Sequence, residues 1–208
     1  MKIFVEGGGD SARLKASCRR AFGTLLRQVL AQRPGCRLRL EIVACGSRNA
    51  AYDKFCAALE GGETEIVLLV DSEDVVTNLD AQTQQTRDPW QHFSNRGDPW
   101  IRPAGATNDH AQLMGVSMET WLVADQGKLA AYYGQHFHLN SLPRHAQLEQ
   151  VAKPQLYGAL ELATRATTKG AYSKGSHSFD VLEQLDYAQL EQRLPHVKRL
   201  FDYLRSKC

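Results

Sequence analysis

Three features of the sequence predict an α/β fold, with a parallel sheet flanked by helices and a helical C-terminal extension. Short apolar runs at Lys2 to Glu6, Arg37 to Cys45 and Ile66 to Val70 alternate with two segments of helical periodicity. Each run ends in a carboxylate or a glycine, as strands do where they give way to a connection. Beyond residue 125 the chain carries mostly helical patterns. A β-α-β-α-β order with right-handed crossovers makes the sheet parallel. The 208 residues suffice for one well-buried core. The expected organisation is a core over residues 1–125, including a long loop over 75–107, with a helical extension over 126–208 packed on it.

The first strand is short and stops at Glu6. Ser11 to Gln32 then reads as an amphipathic helix. Leu14, Cys18, Ala21, Phe22, Leu25, Val29 and Leu30 keep helical spacing on one side, while Arg13, Arg20 and Arg27 repeat on another. Pro34-Gly35 ends it. Arg37 to Cys45 alternates and then becomes continuously apolar, as a strand entering a covered sheet does. Ser47 is placed to cap a second helix, Arg48 to Leu59, which Gly61-Gly62 breaks. Ile66 to Val70 is the most apolar strand and ends at Asp71. Between Val75 and Thr107 the chain turns polar and Pro/Gly-bearing, with Trp90 and Trp100 each in an Asp-Pro-Trp tripeptide. Those indoles could stack on bases or pin the loop to the body. Further helices are expected over Asp109 to Ala124, Gln126 to Tyr133, Leu148 to Ala163, Val181 to Leu185 and Pro195 to Ser206. The polar stretch Thr167 to Ser178 interrupts them.

With 43% hydrophobic and 23% charged residues, the composition excludes a disordered chain. The formal charge of +2 is near balance, but no acidic residue lies between Asp10 and Glu41, a span holding eight Lys and Arg residues. That segment is either an anion-binding surface or a solvated helix face. The five cysteines lack paired metal-type spacing, which predicts buried reduced thiols and hence a cytoplasmic protein. The first apolar run is too short for a signal peptide, and no stretch reaches the length of a membrane span.

The chemistry concentrates where strands end. In a parallel α/β sheet, ligands bind beyond the carboxyl ends of the strands. Glu6 ends the first and Asp71-Ser72-Glu73-Asp74 ends the third. Converging carboxylates repel unless a hard cation neutralises them, so a magnesium or manganese site is expected. Gly7-Gly8-Gly9-Asp10-Ser11-Ala12 also fits the G-x-G-x-x-A dinucleotide fingerprint. That fingerprint wants an acid at the end of the second strand, where this chain has Val43-Ala44-Cys45-Gly46. Glu6 and Asp10 would moreover repel a pyrophosphate. No Gly-Lys-Ser/Thr follows the glycines, so a P-loop is excluded, and no Gly-x-Ser-x-Gly elbow or metalloprotease histidine spacing is present.

Taken in order, "FVEGGGD" and "IVLLVDSED" resemble the Toprim domain, whose signature is a strand-terminal Glu-Gly and a later strand ending in Asp-x-Asp. Glu73 stands where that family usually has Asp. "SMETWLVAD", residues 117–125, is similar to the Glu-x-Trp stretch of the OLD/RloB-like branch and of a related family encoded beside ATPases in bacterial defence loci. The resemblance spans residues 1–125 and implies a Toprim-like, Rossmannoid sheet. It implies that Glu6 is a general acid/base or metal-proximal group, that Asp71 and Glu73 are the principal metal ligands, and that Asp10 and Asp74 support them. Glu119 could complete the site or merely cap its helix. Lys169, Lys174 and His177 sit on a glycine-bearing stretch suited to gripping phosphate or to a solvated loop. Ser47 and Arg48 form an anion-binding arrangement at a helix start, although capping alone explains Ser47.

The function these residues imply is a Mg2+- or Mn2+-dependent nuclease acting on DNA or RNA, an effector of anti-phage defence working with an ATPase. The same fold could instead serve as a non-catalytic subunit that binds an ATPase or nucleic acid. A nucleotide-dependent oxidoreductase is a third reading. No membrane partner is expected, and the helical C-terminus makes a homodimer conceivable.

Overall fold

The computed structural model describes residues 1–208. Its centre is a four-stranded, all-parallel sheet of β1 (Lys2–Gly8), β2 (Glu41–Gly46), β3 (Ile66–Val70) and β4 (Ala111–Leu113), in the order β2-β1-β3-β4. The chain leaves β1 for β2 on one side and then crosses to β3 on the other. The order therefore reverses between β1 and β3, the position at which doubly wound sheets open a crevice for ligands.

Alternation along the central strands sends side chains to two cores. Ile3, Val5, Val67 and Leu69 face α1 (Ala12–Ala31) and the C-terminal helices, in a cluster of 38 buried residues. Phe4, Ile66, Leu68 and Val70 face α2 (Arg48–Glu60) and α3 (Pro89–Asn95), in a cluster of 14. The larger cluster takes residues from both sides of position 125, so the sheet and the helical extension share one core.

Helix α1 follows its periodicity closely. Ser11 Oγ accepts from the Leu14 N–H, and Cys18, Ala21, Phe22, Leu25, Leu26, Val29 and Leu30 are buried. Helices α4 (Glu119–Ala124), α5 (Gln126–Tyr133), α6 (Lys153–Thr164), α7 (Ser178–Leu182), α8 (Tyr187–Arg193) and α9 (Pro195–Ser206) complete the chain. Pro154 and Pro195 lie in the first turns of α6 and α9, where the missing N–H costs nothing.

Several expectations are corrected. The helix expected over Asp109 to Ala124 is a 3-10 turn, strand β4 and the short α4. Gly115 breaks it: its φ is +78°, and a Cβ there would stand 3.3 Å from Glu149. The stretch 148–163 opens with a 3-10 turn, and its helix begins only at Lys153. The segment over 75–107 holds α3, whose N-cap Asp88 accepts from the Trp90 and Gln91 N–H groups. Both indoles are buried there: Trp90 donates to Thr107 O, and Trp100 stacks on Tyr52 at 4.7 Å. They pin the segment and offer no face to a base.

The cysteines are also corrected in part. Cys36 and Cys208 form a disulfide across 172 residues, joining the connection after α1 to the chain end. Cys18 and Cys45 are buried and free, and Cys56 is half-buried. Neither half-cystine lies in an apolar-patterned element, so local patterning carries no sign of the pairing. The reduced state therefore no longer argues for a cytoplasmic location. No helix is long and apolar enough to cross a membrane.

Candidate metal centre

Glu6, Asp71 and Glu73 converge at the switch point, each offering a carboxylate oxygen within 4.8 Å of the others. Backbone groups hold them there. The Asp71 N–H donates to Glu6 Oε2 at 3.1 Å, and the Met118 N–H donates to Asp71 Oδ1 at 2.8 Å. The Ser72 N–H donates to Gly115 O, and the Met114 N–H to Val70 O. The loop after β4 thus clamps the end of β3. Glu73 adopts φ +65°, a conformation costly for a residue with a side chain, and it turns that residue back toward Asp71.

Glu119 extends the acidic group inward. It is fully buried, its Oε1 accepts from Tyr172 Oη at 2.7 Å, and its Oε2 has no hydrogen-bond partner. Two lysines face the carboxylates. Lys153 Nζ lies 2.7 Å from Glu73 Oε2 and 3.5 Å from Asp71 Oδ2. Lys174 Nζ lies 3.9 Å from both Asp71 Oδ2 and Glu119 Oε2.

The titration behaviour follows from this crowding. Burial pushes the Asp71 carboxyl well above the usual range and Glu6 adds to it, with Lys174 and Lys153 opposing. Burial also raises Glu6, opposed by the N–H of Asp71. Burial works against the charge on Lys153 and Lys174, but the carboxylates around each outweigh it and hold both ammonium groups above the ordinary lysine value.

A hard divalent cation fits this set. All donors are oxygens, and two metal–oxygen bonds of ~2.1–2.4 Å span up to ~4.8 Å, the limit within which the three ligand atoms lie. Glu119 Oε2, buried and without a hydrogen bond, has the Lys174 ammonium 3.9 Å away as its positive neighbour and lies outside the three-carboxylate set. A cavity of about 270 Å³ opens beside the carboxylates, floored by Leu14, Phe22 and Phe179 and edged by Gly7, Gly8 and Lys174. The glycines form a tight strand-to-helix turn. A Cβ on Gly8 would stand 2.9 Å from Lys15 Cα, and one on Gly46 would stand 2.8 Å from Gly9 O.

The other candidate residues lie elsewhere. Asp10 is exposed on the turn and outside the cluster. Asp74 points to solvent and meets Arg96 at 3.4 Å, because the turn at Ser72 to Asp74 sends the adjacent carboxylates of Glu73 and Asp74 to different sides. Ser47 caps α2 by accepting from the Ala50 N–H. Arg48 is not open to phosphate: it pairs with Asp98 at 2.7 Å, donates to Asp71 O and lies 4.0 Å over the Trp100 ring. Lys169 is drawn away onto the Tyr132 ring at 4.8 Å. His177 Nδ1 meets Tyr133 Oη at 3.0 Å, and the ring borders the stretch without reaching the carboxylates. Of that stretch, Lys174 alone joins the cluster.

Lys153 and Tyr172 were not singled out by the sequence. Tyr172 lies inside the glycine-bearing stretch that drew attention to its lysines, whereas Lys153 contacts Glu73 across 80 residues and no local pattern announces it. On the arginine-rich segment, Arg20 pairs with Glu183 and Asp180. Arg13, Arg19, Arg27, Arg33, Arg37 and Arg39 remain exposed.

Fold and site together define a Rossmannoid α/β protein with a carboxylate and lysine cluster at its switch point. The chain belongs to the family described as a domain of unknown function, DUF4276, whose model matches residues 5–205. No curated protein and no solved structure matches the chain.

Proposed function

We propose that this chain is a Mg2+- or Mn2+-dependent, Toprim-like nuclease that hydrolyses phosphodiester bonds of DNA or RNA. The observation that carries the reading is the convergence of Glu6, Asp71 and Glu73 within 4.8 Å at the switch point.

Glu6, Asp71 and Glu73 hold the cation, which when bound supplies Lewis-acid activation of the phosphoryl group and of water. Lys174, at the cavity edge, binds a non-bridging phosphate oxygen and offsets charge as the bond breaks. Tyr172 and Glu119 position Lys174 from below. The exposed Arg13 and Arg19, toward the end of α1 that adjoins the glycine turn, receive the adjoining part of the anionic strand. The resemblance of the motifs to proteins of defence loci supplies the setting: an effector acting in the cytoplasm against phage, with an ATPase encoded nearby as partner.

The test is cleavage of duplex DNA, single-stranded DNA and transfer RNA, with either metal or with chelator, by the native chain and by Asp71→Asn. Metal-dependent cutting that Asp71→Asn abolishes is expected. Cutting that survives the substitution contradicts the reading. Absence of cutting, with or without the ATPase, favours the non-catalytic subunit.

A further inference from the structure

The position of Lys153 bears on how many ions the cluster takes, a deepening that rests on the proposed metal site. Its ammonium lies between Asp71 Oδ2 and Glu73 Oε2, at 3.5 and 2.7 Å. Two-metal phosphodiesterases place their ions ~3.5–4 Å apart, and a carboxylate bridges them. Here the outer side of the Asp71 and Glu73 pair is already filled by a cationic group.

We infer that Lys153 holds the place of a second cation, so that the site takes one divalent ion. The free acceptors agree with one ion. Asp71 Oδ1 is engaged by the Met118 N–H, Glu6 Oε2 by the Asp71 N–H and Glu73 Oε2 by Lys153. Glu6 Oε1 and Glu73 Oε1 accept no hydrogen bond, and Asp71 Oδ2 has only the longer contacts to Lys153 and Lys174, at 3.5 and 3.9 Å.

Charge counting gives the same answer. In the ionised state that holds a cation, Glu6, Asp71, Glu73 and Glu119 would carry four negative charges, Lys153 and Lys174 return two, and the residual two match one divalent cation. Arg48 does not alter the balance because Asp98 neutralises it at 2.7 Å. Lys153 is placed for this role by its helix: it opens α6, whose Pro154 fixes the first turn, and its side chain is three-quarters buried.

The experiment counts bound Mn2+ by electron paramagnetic resonance, with isothermal titration against Mg2+ alongside, on the native chain and on Lys153→Met, Lys153→Gln and Lys153→Arg. The native chain and Lys153→Arg are expected to take one equivalent. Lys153→Met and Lys153→Gln, which leave three uncompensated negative charges, are expected to take two and to show the exchange-coupled spectrum of a close manganese pair. Two equivalents in the native chain would overturn the inference and leave the metal site standing. One equivalent in both neutral variants would overturn it too, since Lys153 would not then be what limits the count. No binding by the native chain would defeat the proposed metal site and this inference together. Should one neutral variant fail to fold, the native count and the other variant still decide.

Discussion

The N–H of Asp71 donates to Glu6 Oε2 at 3.1 Å, so a carboxylate near the turn-ward end of β1 is positioned by the backbone of the residue that follows β3. The bond ties the two strands that flank the switch point and sets the spacing of the acidic cluster before any ligand arrives.

Glu6→Gln keeps an acceptor for that N–H and removes one of the repelling charges. Thermal unfolding in chelator at neutral pH should therefore show Glu6→Gln at least as stable as the native chain. Added Mn2+ should raise the native Tm and leave the variant's unchanged. Cleavage should fall by ~100-fold or more, the loss of several kcal/mol of charge stabilisation.

Lys169 and Lys174 separate two readings of one stretch. Lys174→Ala should cut the cleavage rate by ~10–100-fold, the scale of losing one charged donor at the reacting group. Lys169→Ala, which removes only a contact with Tyr132, should cut as the native chain does. Equal losses in single-turnover assays would show that both act through the loop.

Arg48→Ala tests a structural role. It leaves the nearly buried Asp98 with only the longer contact to Arg96 at 3.9 Å and strips the cover from Trp100, so a loss of ~3 kcal/mol in denaturant unfolding is expected. Arg48→Lys should recover little, because a lysine cannot reproduce both the stacking and the fork of hydrogen bonds. Nucleic-acid affinity of the folded variant should stay unchanged.

Much of the fold could be read from local pattern, because strands β1 and β3 and helices α1, α2, α5 and α9 each declare themselves through continuous periodicity. What could not be read depends on distant contacts. Strand β4 has three residues and exists because Leu68 to Val70 offer it a partner. The helix expected over Asp109 to Ala124 ran across the Gly115 break, since periodicity does not register a positive φ. Glu6, Asp71 and Glu73 were visible as strand-end acids, and their sheet positions bring them together. Asp10 and Asp74 have the same chemistry nearby, but the turns direct them outward. Choosing Lys174 over Lys169, and finding Lys153, requires the path of the chain.

His92 provides a pH-dependent term beside the cluster, on the backbone between Asp71 and Glu73. Burial lowers its pKa below 6.5, while its Nε2–H donates to Ser72 O at 3.0 Å. The unfolded chain then binds the proton more tightly, so this stability is present above ~6.5 and is lost as pH falls toward the lowered folded value. Urea midpoints measured between pH 7.5 and 5 should decline more steeply for the native chain than for His92→Gln, which retains a donor for Ser72.

Reduction of Cys36–Cys208 frees the chain end from the connection after α1. A loss of ~2–5 kcal/mol is expected on reduction, because the bond restrains a long loop in the unfolded chain. Calorimetry with and without reductant measures it, and Cys208→Ser should match the reduced native chain.

The most direct test of the central claim is a Mn2+-soaked crystal examined by anomalous scattering at the manganese edge. The account predicts one strong peak about 2.1–2.2 Å from oxygens of Glu6, Asp71 and Glu73, absent in crystals of Asp71→Asn. A cluster without a peak at saturating Mn2+, or a peak held by other residues, would contradict it.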